Sequence, residues 1–365
     1  MRYVDDFRDP EVARRLVRAV LDLGKKMTVM EVCGTHTMAI SRSGLRSLLA
    51  PAVDLLSGPG CPVCVTSEMD IARAIALAEL PDVILATFGD MMKVPGPQGT
   101  LMDAQSRGAR VKVVYSPLEA VKLARENPGD KVVFLGVGFE TTAPTVAASL
   151  LVAREEGLGN FYVLSLHKTV PPALRALVEQ DDFRVEGFIL PGHVSAIIGT
   201  RPYRFLAEEF RIPCVIAGFE PADVLRAIHL LMTMERPEVE VEYSRAVKPE
   251  GNPKAKEIME AVFQPCGAEW RGLGFIEDSG LRLRDEFERH DASLWEVEVP
   301  DAPGERGCRC GDVLCGRIRP TDCPLFGRTC TPESPVGPCM VSSEGTCASY
   351  YLYEGLWHDP GSRER

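Results

Sequence analysis

Cys61-Pro-Val-Cys64 sets two thiols three residues apart, where a strand candidate gives way to a helix. A helix N-terminus stabilises a thiolate, the form that attacks disulfides and binds metals. Two thiols at that spacing close a disulfide, share a transition metal, or supply half of a structural zinc site. Such a zinc site needs a second close pair of ligands, and none follows at zinc-finger spacing. Cys33-Gly-Thr-His36 places a soft thiolate three residues from an imidazole, with a glycine between them. That pair suits iron ligation or a Cys/His nucleophile; it equally suits a buried cysteine beside a hydrogen-bonded histidine.

Seven of the twelve cysteines fall late, as Cys308-x-Cys310-x4-Cys315-x7-Cys323-x6-Cys330-x8-Cys339-x7-Cys347. Zinc ribbons use tighter knuckles, whereas four thiolates on a wrapped, Pro/Gly-rich chain fit an iron–sulfur cluster, with zinc the alternative. Cys323, Cys330, Cys339 and Cys347 are the most regularly spaced and are the expected ligands. Cys214 and Cys266 stand alone. Gly136-Val-Gly138-Phe-Glu140-Thr lacks the third glycine of a dinucleotide fingerprint, and Glu140 would repel phosphate, so a polar site is expected there instead. His36, His167 and His193 fall in loops after strands. His229 reads as mid-helix, and His290 and His358 read as surface residues.

The elements that must position these groups alternate between short apolar runs and amphipathic segments. Strand candidates are 27–32, 53–56, 83–87, 111–115, 132–137, 161–166, 188–190 and 214–217. Helical patterns between them, such as 69–79, 117–125, 143–154 and 171–179, give the signature of parallel α/β sheets. The strands split into two sets of four at an offset near 105 residues. The expected fold is therefore two similar tandem parallel-sheet α/β domains, 25–126 and 127–234, rather than one eight-stranded sheet. A helix in 1–24 packs on the first α/β domain or on the C-terminal domain, and 235–365 forms a Cys-rich, loop-rich iron–sulfur domain.

With 365 residues, 45% hydrophobic and 25% charged, the composition is that of a globular chain. A net charge of -11 argues against an electrostatic grip on nucleic acid or an anionic membrane. The start MRYVDDFRDPEVARR lacks a basic-then-apolar leader, and the longest apolar run, 145–153, is too short to span a bilayer. A cytoplasmic location is expected, where thiols stay reduced unless they bind metal or do redox work.

Five segments taken together look like the motif set of the HypD family of [NiFe]-hydrogenase maturation factors. They are Cys33-Gly-Thr-His-Thr, Gly58-Pro-Gly-Cys-Pro-Val-Cys64, Gly138-Phe-Glu-Thr-Thr142, Pro191-Gly-His-Val-Ser-Ala-Ile-Ile-Gly199 and Gly337-Pro-Cys-Met-Val-Ser-Ser-Glu-Gly-Thr-Cys347. The resemblance runs in order over essentially the whole chain. It implies a scaffold on which an Fe(CN)2CO unit is assembled, the iron shared with a HypC-type chaperone and the cyanide received from a HypE-type donor. It also implies a [4Fe-4S] cluster in the C-terminal part beside a redox-active dithiol. On matching positions Cys33 would hold the iron with His36 beside it, and Cys61 and Cys64 would be the redox pair and further iron ligands. Glu140 and His193 would line a cleft between the α/β domains. The alternative from the residues alone is an iron–sulfur-dependent thiol–disulfide oxidoreductase, which has no use for Cys33-Gly-Thr-His36. A zinc-stapled interaction module is the other.

Iron analysis separates these readings: chain purified without oxygen should be brown and carry iron with acid-labile sulfide, whereas zinc without sulfide would leave only the stapled module.

Overall fold

The computed structural model describes residues 9–299 and 307–354. All eight expected strands form, as β1 (Met27–Glu31), β2 (Val53–Ser57), β3 (Val83–Thr87), β4 (Arg110–Val113), β5 (Lys131–Gly136), β6 (Phe161–Ser165), β7 (Gly187–Pro191) and β8 (Cys214–Ala217). Three more follow: β9 (Val239–Val241) and the antiparallel hairpin β10 (Phe263–Trp270) and β11 (Gly274–Leu283). Helices start where local chemistry satisfies their first N–H groups. Ser67, Ser116 and Asn252 accept from the first turn of helices Glu68–Ala78, Pro117–Glu126 and Pro253–Val262, and the latter two open on proline.

Two parallel sheets form, but not by splitting the chain in the middle. One sheet has the order β2-β1-β7-β8-β9 and the other β4-β3-β5-β6. The chain leaves the first sheet after β2, builds the whole second sheet, and returns at β7. The tandem division at 126/127 and the boundary at 235 are therefore corrected: β3 and β4 belong with β5 and β6, and β9 extends the first sheet. A constant offset arises in any run of strand–helix–strand units, because each unit has about the same length; it carries no information on which strands pair.

In both sheets the strand order reverses once, between β1 and β7 and between β3 and β5. Ligands of open α/β sheets bind outside the carboxyl ends of strands at such reversals. The cores are apolar on both faces: every residue of β3, β7 and β8 is buried. The Pro10–Asp22 helix packs on the Pro221–Thr233 helix of the first sheet's layer, with Val20 meeting Val224 and Ile228 in one cluster. This places it on the α/β part and not on the cysteine-rich tail. His290 is another correction: it is buried, with Nδ1 2.8 Å from the Phe161 carbonyl. His358 lies outside the described residues. Among them, no helix is long and apolar enough to cross a membrane.

The hairpin gave no clear signal in the sequence, yet it joins the loops of both sheets. Thr169 and Leu281 exchange backbone bonds with Ser279 and His167 after β6, while the Arg271 N–H donates to the Val65 carbonyl after β2. Trp270 lies at that junction, fully buried, its Nε1–H on Ser279 Oγ and its ring stacked on Phe139. Trp270→Ala should cost ~3–5 kcal/mol in urea unfolding, and Trp270→Phe, which loses mainly the Ser279 bond, ~1–2 kcal/mol. Equal costs would show that the junction is not held by the ring.

Candidate metal and thiol site

Both strand-order reversals open on one cleft of about 700 Å³. Its walls are Cys33 and Thr35 after β1, Gly60–Val63 after β2, Phe88–Met91 after β3, Val137–Phe139 with Thr141 and Thr142 after β5, and His193 after β7. Ser342 and Glu344 from the cysteine-rich tail complete it. Cys33, Cys61 and His193 thus share the cleft. Glu140 and His36 do not line it, which corrects the expected place of Glu140 and sets His36 behind the wall.

Cys33 lies two residues past the end of β1 and is the N-cap of the Gly34–Arg42 helix. Its backbone N–H donates to Glu31 Oε2 at 3.0 Å, and the fully buried Glu31 also accepts from Thr37 Oγ1. Thr35 Oγ1 donates to Glu344 Oε1 at 2.6 Å, so the tail closes over this loop. Burial, with the nearby charges of Glu31 and Glu344, pushes the Cys33 thiol up to about 12. A thiol so placed stays protonated, and a nearby cation would be needed to favour the thiolate.

Cys61 and Cys64 are joined as a disulfide at the start of the Pro62–Val65 turn, where the Cys64 N–H also reaches Cys61 Sγ at 3.2 Å. In this state neither sulfur can serve as an iron ligand. Gly60 brings the pair to Cys33: its carbonyl accepts from the Gly34 N–H at 2.8 Å, and a Cβ on Gly60 would lie 2.1 Å from the Cys33 nitrogen. Only glycine permits that approach. Cys64, fully buried, lies 4.0 Å from the carbonyl of Pro338, the residue before Cys339.

Beyond Pro338 a small void is lined by Cys308, Cys310, Cys323, Cys330, Cys339 and Cys347. The four expected cluster ligands are all there, together with two thiols that the spacing did not select. Cys315 lies apart, its thiol on the Gly272 carbonyl at 3.4 Å. The Cys339 thiol is held well above its usual range by Cys310 and Cys347 on either side, and by burial. Thiols so crowded suit a cationic cluster that takes their protons' place, so the donor set fits an iron–sulfur centre. Among the described residues no three His, Cys, Asp or Glu side chains are already drawn into metal-binding geometry.

Sequence reasoning missed two residues of the site. Glu344 lay within a quoted motif but carried no sign that it would reach Thr35. Phe219 had no local signal; it stacks on both His193, at 3.9 Å between centroids, and His36, at 4.8 Å.

The sequence comparisons are consistent with one another. The family model named HypD, described as "Hydrogenase formation hypA family", matches residues 11–354. The chain is 47% identical to the hydrogenase maturation factor HypD2 of Bradyrhizobium diazoefficiens, over 100% of this chain and 99% of that one. It is 45% identical to the hydrogenase maturation factor HypD of Escherichia coli (strain K12), over 97% and 98%. To the HypD of Rhodobacter capsulatus it is 44% identical, over 97% and 99%.

Glu140 is buried behind the cleft. Its Oε1 accepts from the Val170 N–H at 2.9 Å and its Oε2 has no partner, so burial raises its pKa from 4.5 to about 7. Between those two values the folded chain holds a proton that the unfolded chain has lost, and stability falls as pH rises through that window. Glu140→Gln keeps an acceptor for Val170 without titrating. From about pH 5 to about pH 8 it should therefore gain about 3 kcal/mol on the wild type in denaturant melts. A pH-independent difference would show that Glu140 is ionised throughout.

Proposed function

The chain belongs to the HypD family of hydrogenase maturation factors, and from that premise we propose that it is the scaffold on which the Fe(CN)2CO unit of a [NiFe] hydrogenase is assembled. The observation that carries this reading is the alignment of its thiols. Cys33 and Cys61 face one cleft, Cys64 is bonded to Cys61, and Cys64 backs onto the residue before Cys339 in the cysteine-lined void. In this reading Cys33 binds the iron as cargo, shared with a HypC-type chaperone. Burial, with the neighbouring Glu31 and Glu344 charges, holds the thiol protonated when it is alone, and those charges favour a bound cation.

Cyanide arrives as a thiocyanate on a HypE-type donor. Releasing it breaks the S–CN bond and takes two electrons, leaving the donor thiolate and free cyanide. Reduced Cys61 and Cys64 supply that pair as they close their disulfide: two thiolates and one thiocyanate give one disulfide, one thiolate and one cyanide. Two electrons reopen the disulfide for the next cyanide. Cys323, Cys330, Cys339 and Cys347 would hold a [4Fe-4S] cluster, which when bound supplies electrons one at a time. His193 and Thr35 on the cleft wall orient polar ligands, while the apolar Val137, Phe139 and Val194 limit water around a soft metal centre.

Infrared spectroscopy of the chain co-purified with its HypC-type partner tests the reading. Wild type should show cyanide and carbon monoxide stretching bands, and Cys33→Ala should lose them entirely while keeping its cluster absorption. Cys64→Ser should keep bound iron and lose the cyanide bands. Bands at full strength in Cys33→Ala would refute the iron assignment. Rapid turnover of small disulfides by wild type would favour the oxidoreductase reading.

A further inference from the structure

His36 is held by a group that the proposed chemistry does not use. Its Nε2 lies 2.8 Å from the Gly218 carbonyl, so that nitrogen carries the proton and donates it. Its Nδ1 is buried without a partner. The Gly218 residue whose carbonyl fixes the ring is also held on its N-terminal side: its N–H, in the preceding peptide plane, donates to Glu242 Oε2 at 3.2 Å. A Cβ on Gly218 would lie 2.2 Å from Asp223 Oδ2, so this backbone is pressed directly onto a carboxylate. Asp223 is completely buried and is anchored by Arg245 Nη2 at 2.5 Å and by the Glu220 N–H at 3.3 Å.

We propose that Asp223 and Glu242 are positioning residues which clamp the backbone at Gly218 and so lock His36 as the Nε2–H tautomer, with a bare Nδ1 lone pair behind the Cys33 loop. Only that form of the ring can take up a proton or a metal at Nδ1. Its relevance to iron rests on the assembly reading above; the clamp itself does not.

Three features set this apart from ordinary packing. The clamp draws on distant stretches of chain: the Gly34–Arg42 helix, the turn after β8 with the Pro221–Thr233 helix that follows it, and the segment after β9. Its inner members His36, Gly218 and Asp223 are buried, where an unmatched polar group is costly. It also fixes the neighbouring residue, because Phe219 stacks on His36 and His193 and meets Tyr243 edge-on. Burial and the Asp223 charge raise Glu242 to about 7, so its carboxyl is able to donate to Asp223 while accepting from Gly218. The hydrogen-bond partner fixed on one ring nitrogen sets the tautomer of a functional histidine.

The test uses the full chain, free of iron, labelled with 15N-histidine, with His36 assigned by the loss of its signals in His36→Asn. Wild type should show protonated Nε2 and bare Nδ1. Glu242→Leu, which removes the acceptor for the Gly218 N–H, should replace this with a mixture of tautomers. Glu242→Gln keeps an acceptor and a donor and should restore the wild-type pattern. Iron affinity in the complex should fall about 10-fold in Glu242→Leu and recover in Glu242→Gln. If Glu242→Leu does not fold by circular dichroism, Glu242→Asp, too short to reach Gly218, takes its place with the same expected pattern. Unchanged His36 signals in a folded Glu242→Leu or Glu242→Asp would overturn the proposal. A normal His36 signature in a chain that never acquires iron, cyanide and carbon monoxide would instead refute the assembly reading and leave the clamp standing.

Discussion

One close backbone approach sets the position of everything else in the cleft: the Gly34 N–H on the Gly60 carbonyl. It joins the loop after β1 to the loop after β2, and so places the Cys61–Cys64 pair against Cys33. A side chain at Gly60 would drive the two loops apart by colliding with the Cys33 backbone. The parallel pairing of β1 with β2 brings these loops to the same end of the sheet. The second sheet contributes its own reversal from across the cleft, and the hairpin β10–β11 bridges the loops of both sheets. The thiols are therefore positioned by backbone geometry, which is stiffer than any side-chain contact.

Electrostatics then decide what those thiols can do. Cys33 lies among buried and negatively charged neighbours, which disfavour a free thiolate and favour a cation. In the proposed reading a metal ion would reverse that balance, and the thiol stays protonated without one. Several buried polar atoms around it lack partners: His36 Nδ1, Glu140 Oε2, Tyr203 Oη and Asp223 Oδ1. Such atoms weaken a fold, and their concentration behind one cleft fits a region shaped for chemistry more than for stability.

The strands and the cysteine motifs were readable because they rest on local signals, namely apolar runs bounded by glycine and proline and thiols at short spacing. The partnering of strands was not. A repeated strand–helix unit looks the same whether the two sheets are tandem or interleaved, and only the return to β7 beside β1 tells them apart. Placement of single polar residues was equally opaque. His290 is polar and surrounded by charge in sequence, yet its Nδ1 finds the Phe161 carbonyl and the ring is buried. Glu140 sits in the expected motif, but its carboxylate turns inward to the N–H of Val170. Glu344 and Phe219 reach the site from distant segments, which no spacing rule could reveal. The six-fold crowding of thiols in the tail likewise depends on how its loops wrap, so Cys308 and Cys310 entered the void without any advance sign.

In the proposed function the chain carries two kinds of iron, one held in the cysteine-lined void and one at Cys33 in the cleft. A 57Fe Mössbauer spectrum of the chain isolated without oxygen together with its chaperone partner addresses this most directly. It should contain, beside the cluster signal, a low-spin iron component amounting to roughly one iron in five. A spectrum in which all of the iron belongs to the cluster would contradict it.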